Sequence, residues 1–167
     1  MFKKIDPKQW KGNVFSLIGD QWLLITAGTA EDCNTMTASW GGLGILWGQP
    51  CATCYIRPQR YTKKFVDREE YFTLSAFGPE YRDALMLCGT KSGRDMDKIK
   101  ACGLTVKTAE CGAPYFEQAQ LVIVCRKQFA QEMDPDNMPA EIREKEYPKQ
   151  DYHTLYIGQI VEMLEKE

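Results

Sequence analysis

Two short segments carry side chains whose types and spacing could do chemistry. The first reads Asn34, Thr35, Met36, Thr37, Ala38, Ser39, Trp40. Short amide and hydroxyl groups alternate with apolar ones, and the run closes on an indole. A flat heteroaromatic ligand needs such a wall: hydroxyls and backbone N–H groups for its carbonyls, and an apolar or aromatic face against its ring. The same pattern also fits a strand edge with solvated hydroxyls and a core tryptophan. The second segment holds Arg57, Arg60, Tyr61, Thr62, Lys63 and Lys64. Residues 57–68 contain five bases and one acid, a local +4 in a chain of formal net charge −2. An arginine fork matches a phosphate, and a helix starting at Thr62 would add backbone N–H groups and a hydroxyl. The alternative is a solvated basic helix face.

Two further features are polar but less specific. Residues 89–98 form a loop punctuated by Gly89 and Gly93 and carrying Lys91 and Ser92. Such a loop could close over a ligand's polar tail or serve as a plain connection. His153 is the only histidine and stands beside Tyr152. A single histidine can handle protons near neutral pH or act as a hydrogen-bonded structural residue.

Several other chemistries lack their residues. Gly41, Gly42, Leu43 and Gly44 do not make the GxGxxG order of a dinucleotide fold, and residues 89–93 have no P-loop spacing. Cys51 and Cys54 have CxxC spacing but fall in a predicted strand, where residues three apart point to opposite faces. They read as buried structural thiols, and no metal site is expected. No cysteine is near His153 in sequence to form a nucleophile–base pair. The seven cysteines are odd in number and irregular in spacing, which fits reduced thiols in a cytoplasmic protein.

The elements that must position these groups are mostly strands. Apolar and β-branched runs predict strands at 14–18, 22–29, 34–40, 50–57, 71–77, 104–108, 115–117, 119–129 and 155–164. Short helices are predicted at 62–70, with Thr62 as N-cap, and at 79–88 and 95–102. The glycines at 41, 42 and 44 predict a loosened backbone. Residues 132–151 carry seven acids and three bases and read as a long surface loop, with one helical turn near 140–145. Strands and helices do not alternate as βαβ units, so an antiparallel barrel is expected. The 167 residues suit a single domain over 1–167. Hydrophobic residues make up 44% and charged residues 26%, which argues against disorder. The slight net negative charge excludes a generally basic surface, so no nucleic-acid partner is expected. No apolar run is long enough to span a membrane, and the N-terminus has no apolar signal core.

Read in order, these segments resemble the flavin reductase family, the FMN-binding split-barrel proteins that include flavoredoxin. The matching pieces are 34–40, 41–50, 55–62, 72–77, 92–98, 103–105 and the closing His153, Thr154, Leu155, Tyr156, Ile157, Gly158. The resemblance implies a mainly β fold: a six-stranded antiparallel Greek-key split β-barrel with a few short helices. It implies a homodimer with FMN near the subunit interface and NADH or NADPH as reductant. By analogy, Met36, Thr37, Ala38 and Ser39 line the isoalloxazine and ribityl chain, with Asn34 also in contact and Trp40 close to the ring. Arg57, Arg60, Tyr61 and Thr62 surround the phosphate and ribityl region. Phe77, Lys91 and Ser92 are further contacts, and His153 sits near the ring face as the catalytic candidate. The implied activity is hydride transfer from NAD(P)H to FMN, with an oxygenase or an electron-transfer protein as partner. Two other readings stand beside it: a non-enzymatic FMN electron carrier fed by a protein donor, and a binding module without flavin.

Overall fold

The longest apolar runs of the sequence become strands buried on both faces. In the computed structural model, which describes residues 1–167, β1 spans Phe2–Lys4, β2 Leu23–Gly28, β3 Cys33–Ala38, β4 Gly41–Leu46 and β5 Gln49–Ile56. Helix α1 (Thr62–Arg68) leads to β6 (Tyr71–Ala76), then α2 (Arg82–Thr90) and α3 (Lys98–Ala101). The chain continues through β7 (Val106–Thr108), β8 (Pro114–Phe116), β9 (Leu121–Glu132), α4 (Ala140–Glu146) and β10 (Thr154–Lys166). Side chains alternate along each strand. In β2, Ile25 and Ala27 enter one core while Leu24 enters another; in β9, Ile123 and Cys125 oppose Val122 and Val124. The first core fills the barrel. The second lies outside it, beneath α2 and the β7–β8 ribbon.

Every pairing is antiparallel, and the main sheet runs β3-β2-β6-β9-β10-β5-β4, with β1 beside β10. The non-consecutive neighbours β2–β6, β6–β9 and β5–β10 are the crossed connections of a Greek key. β3 and β4 stand at opposite ends of this order, yet only Ser39 and Trp40 join them. Each residue reaches about 3.5 Å at most. The two edges must therefore meet, and the sheet rolls into a barrel whose seam is crossed covalently rather than by a ladder.

Three expectations need correction. The sheet has eight strands rather than six, the additions being β1 and the glycine-rich β4. β4 is an edge strand paired to β5 through a tight turn at Trp47 and Gly48, so its exposed residues give no apolar alternation to read. Residues 14–18 are not a strand: a π-helical turn covers Ser16–Gln21. The Asn13 side chain starts it by accepting the N–H groups of Phe15 and Ser16 at 3.0 and 3.2 Å. Thr62 is the first residue of α1 rather than its cap, and its hydroxyl has another partner. No helix is long and apolar enough to cross a membrane.

β10 pairs with β9 along most of its length, with β5 through its first half and with β1 at its end. One irregularity falls between Ile157 and Gly158. A Cβ at 158 would lie 2.7 Å from the Cys125 Cβ and 2.8 Å from the Phe72 ring. Gly158→Ala is therefore expected to lower stability by about 1–3 kcal/mol through overpacking, read from urea unfolding; an unchanged midpoint would show that the barrel core yields there.

Candidate functional site

Strand register assembles the site. Thr154 pairs with Ile56, which sets His153 across from Arg57. Gly41 pairs with Cys54, which sets Trp40 across from Tyr55. The seam, the end of β5 and the start of β10 thus converge at one end of the barrel. A groove of about 250 Å³ there is lined by Met36, Thr37, Ala38, Ser39, Trp40, Tyr55, Arg57, Arg60 and His153. It continues past Ser39, Trp40, Tyr55 and His153 into a wider apolar cleft of about 710 Å³, bounded also by Phe15, Ile18, Leu43, Met133 and Tyr147. The aromatic and cationic residues expected at opposite ends of one ligand therefore share a surface.

At the apolar end, the Trp40 and His153 rings lie 5.1 Å apart between centroids. His153 is buried, and its Nδ1 is 2.8 Å from the Tyr147 hydroxyl. Burial, reinforced by the nearby Arg57 charge, pulls its pKa down to about 4, so the imidazole is neutral at pH 7. Arg57 is held by the acidic segment after β9. It donates to the Glu146 carbonyl at the end of α4 (3.0 Å), pairs with Asp151 (2.9 Å) and lies over the Tyr147 ring. That segment accordingly folds against the site and contributes Met133 and Tyr147 to the cleft wall.

At the polar end, Arg60 donates to the carbonyls of Gly89 (2.6 Å) and Cys88 (3.2 Å), the last turn of α2. Lys98, buried at 4% exposure, donates to the same Cys88 carbonyl at 3.2 Å. The two cationic nitrogens are thus no farther apart than twice that distance. Burial lowers both pKa values, and Arg60 itself pushes Lys98 down. No carboxylate is among the groups acting on either. A buried lysine and a half-buried arginine with only carbonyl dipoles as partners leave positive charge unbalanced. Arg60 spends two of five N–H donors on these bonds, and Lys98 one of three.

The remaining expected residues distribute as follows. Asn34 is buried and donates to the Thr62 hydroxyl at 2.7 Å. Asn34 and Tyr61 line an adjacent cleft of about 380 Å³ together with Gly93 and Lys98. The 91–97 loop is pressed onto them: a Cβ at Gly93 would fall 2.1 Å from Asn34 Oδ1, and Arg94 lies over the Tyr61 ring. Lys91 is exposed at the end of α2, and the half-buried Ser92 accepts the Arg94 N–H. Phe77 does not reach the site. It packs with Tyr81 and Phe116 in the outer core, because the chain leaves β6 toward α2 on that face. Lys98 and Tyr147 were not singled out from the sequence. A lysine in a helix and a tyrosine in an acidic loop look solvent-exposed until the fold buries them.

The neutral His153 gives a pH signature. Between pH 6.5 and 4 the unfolded chain binds a proton that the native site refuses, so this group erodes stability as pH falls through that window and costs nothing above it. Urea unfolding from pH 7 to 4.5 should show the parent losing more stability than His153→Asn; equal slopes would mean the imidazole is protonated freely in the native state.

Known proteins share this architecture. The sequence profile of the flavin reductase like domain matches residues 15–167. An uncharacterized protein of Pyrococcus abyssi is 26% identical over 148 residues, which is 86% of this chain and 73% of that one. Flavoredoxin from Methanosarcina acetivorans superposes with a TM-score of 0.71 at 18% identity, over 88% of this chain and 69% of the other. The FMN-binding protein of Thermus thermophilus, solved with p-hydroxybenzaldehyde, superposes with a TM-score of 0.70 at 19% identity, over 98% and 83%. With a profile covering nearly its whole length and a split barrel matching these structures, the chain belongs to the flavin reductase-like domain family.

Proposed function

We propose that this protein binds FMN in the seam groove and acts as an NAD(P)H:flavin oxidoreductase. The observation that carries the reading is the half-buried Arg60 guanidinium at one end of a groove whose other end is aromatic, with the buried Lys98 ammonium of the adjoining cleft on the same Cys88 carbonyl and no acid to balance either. A phosphate supplies the missing negative charge and accepts the spare N–H donors. Met36, Thr37, Ala38 and Ser39 form the wall between that end and Trp40, and they fit a flat ring with a polar chain. Arg57, pinned by Asp151 and Glu146, supplies fixed positive charge beside the ring end.

Bound FMN would supply the hydride and electron chemistry, which explains why the chain carries no nucleophile–base pair of its own. The chain's contribution is binding, orientation and exclusion of water. His153, neutral and oriented by Tyr147, is the proposed catalytic group at the ring face; it offers a hydrogen bond without a full charge. The 710 Å³ cleft beside it leaves room for NADH or NADPH to stack there. Ile45 on the unpaired edge of β4 and Trp47 in the turn that follows it are both exposed and provide apolar surface for a second copy of the chain in a homodimer.

The phosphate assignment is tested by quenching of flavin fluorescence. Arg60→Ala should weaken FMN binding by about 1–3 kcal/mol, the cost of a lost charge-assisted bond, and leave riboflavin affinity nearly unchanged. Equal affinity of the parent for FMN and riboflavin would remove the phosphate from this end of the groove.

A further inference from the structure

The thiols of two cysteines near the groove have no part in the flavin reading. Cys88 is in the last turn of α2 and fully buried; Cys102 ends α3 and is half-buried. Their sulfurs are 3.9 Å apart, and Cys102 Sγ also faces the Ala84 carbonyl at 3.7 Å. A disulfide requires about 2.05 Å, so a shift of about 2 Å between α2 and the end of α3 would close it. The five remaining thiols are differently placed. Cys51, Cys54 and Cys125 are buried, Cys33 is half-buried at the start of β3, and Cys111 is exposed.

We propose that Cys88 and Cys102 form a dithiol–disulfide site that takes a low-molecular-weight disulfide as its oxidant and, when closed, clips the loop over the anion end of the groove. The half-buried Cys102 is the entry thiol. Its thiolate attacks one sulfur of the small disulfide, breaking that S–S bond and releasing one small thiol. Cys88, having given up its proton, then attacks Cys102 Sγ and releases the second small thiol. Two protein thiols are oxidised, and one small disulfide is reduced to two thiols. Burial pushes the Cys88 thiol up to about 12, with Cys102 adding to the shift, so closure quickens with pH.

Residues 89–101 lie within the ring that this bond would close. They include Gly93, pressed on Asn34, and Lys98. The carbonyl of Cys88 is also the shared acceptor of Arg60 and Lys98. The redox state of the pair therefore acts on the residues proposed to hold the phosphate. This consequence rests on the FMN reading; formation of the bond does not.

The test exposes the native protein to oxidised glutathione, blocks free thiols and digests without reductant. The expected product joins the tryptic peptides 83–91 and 101–107, absent from Cys102→Ser, with release of FMN slowed about threefold or more relative to the reduced protein, as expected of a preorganised loop. Seven free thiols, or a glutathione adduct at Cys102 that never resolves, would overturn the site. Equal release rates from oxidised and reduced protein would overturn the coupling to the groove. A linked pair in a protein that retains no FMN would uphold the disulfide and overturn the flavin reading.

Discussion

The two-residue link between β3 and β4 governs the rest of the molecule. It joins the opposite ends of one sheet, so the sheet has to close, and the closure is made by backbone rather than by a ladder. Ser39 and Trp40 are consequently left at a gap in the barrel wall, with Trp40 47% exposed although its neighbours in β3 are largely covered. Antiparallel register then brings Tyr55, Arg57 and His153 to the same gap, because the end of β5 meets the start of β10 there. The groove follows from the topology, and the loops decorate it.

Electrostatics give the groove its direction. Arg60 and Lys98 converge on the carbonyl end of α2, where the helix dipole favours cations. That preference helps to position them but supplies no counter-charge to the buried Lys98 or the half-buried Arg60. Arg57 differs: Asp151 and the end of α4 already hold it, so it serves as a strut between the acidic segment and the barrel. Burial, with the Arg57 charge adding to it, keeps the adjacent imidazole neutral. One end of the groove therefore calls for an anion, and the other accommodates an uncharged aromatic surface.

Much of this was legible in the sequence, and the exceptions have physical causes. β2, β3, β5, β6, β9 and β10 are evident because their apolar residues are packed on one or both faces. β4 is hidden because an exposed edge strand of glycine and isolated apolar residues carries no period. The turn after Asn13 was readable in principle, since asparagine is a strong helix initiator, but Val14, Phe15, Leu17 and Ile18 overrode that signal with apolarity. Arg57, Arg60 and His153 could be named from residue type and order, whereas Lys98 could not: its burial depends on α2 and α3 meeting beside Arg60, a contact between segments remote in sequence. Phe77 was misplaced because alternation past the end of β6 cannot say which core an aromatic enters.

The account stands most directly on one absorption experiment. The protein is mixed with FMN, freed of unbound flavin by gel filtration, and then given NADH or NADPH without oxygen while the flavin band is followed. The account predicts that flavin is retained and that its band bleaches rapidly with one of the two nucleotides. Flavin that washes away, or retained flavin that both nucleotides leave oxidised, would contradict it, the second result pointing instead to an electron carrier fed by a protein donor.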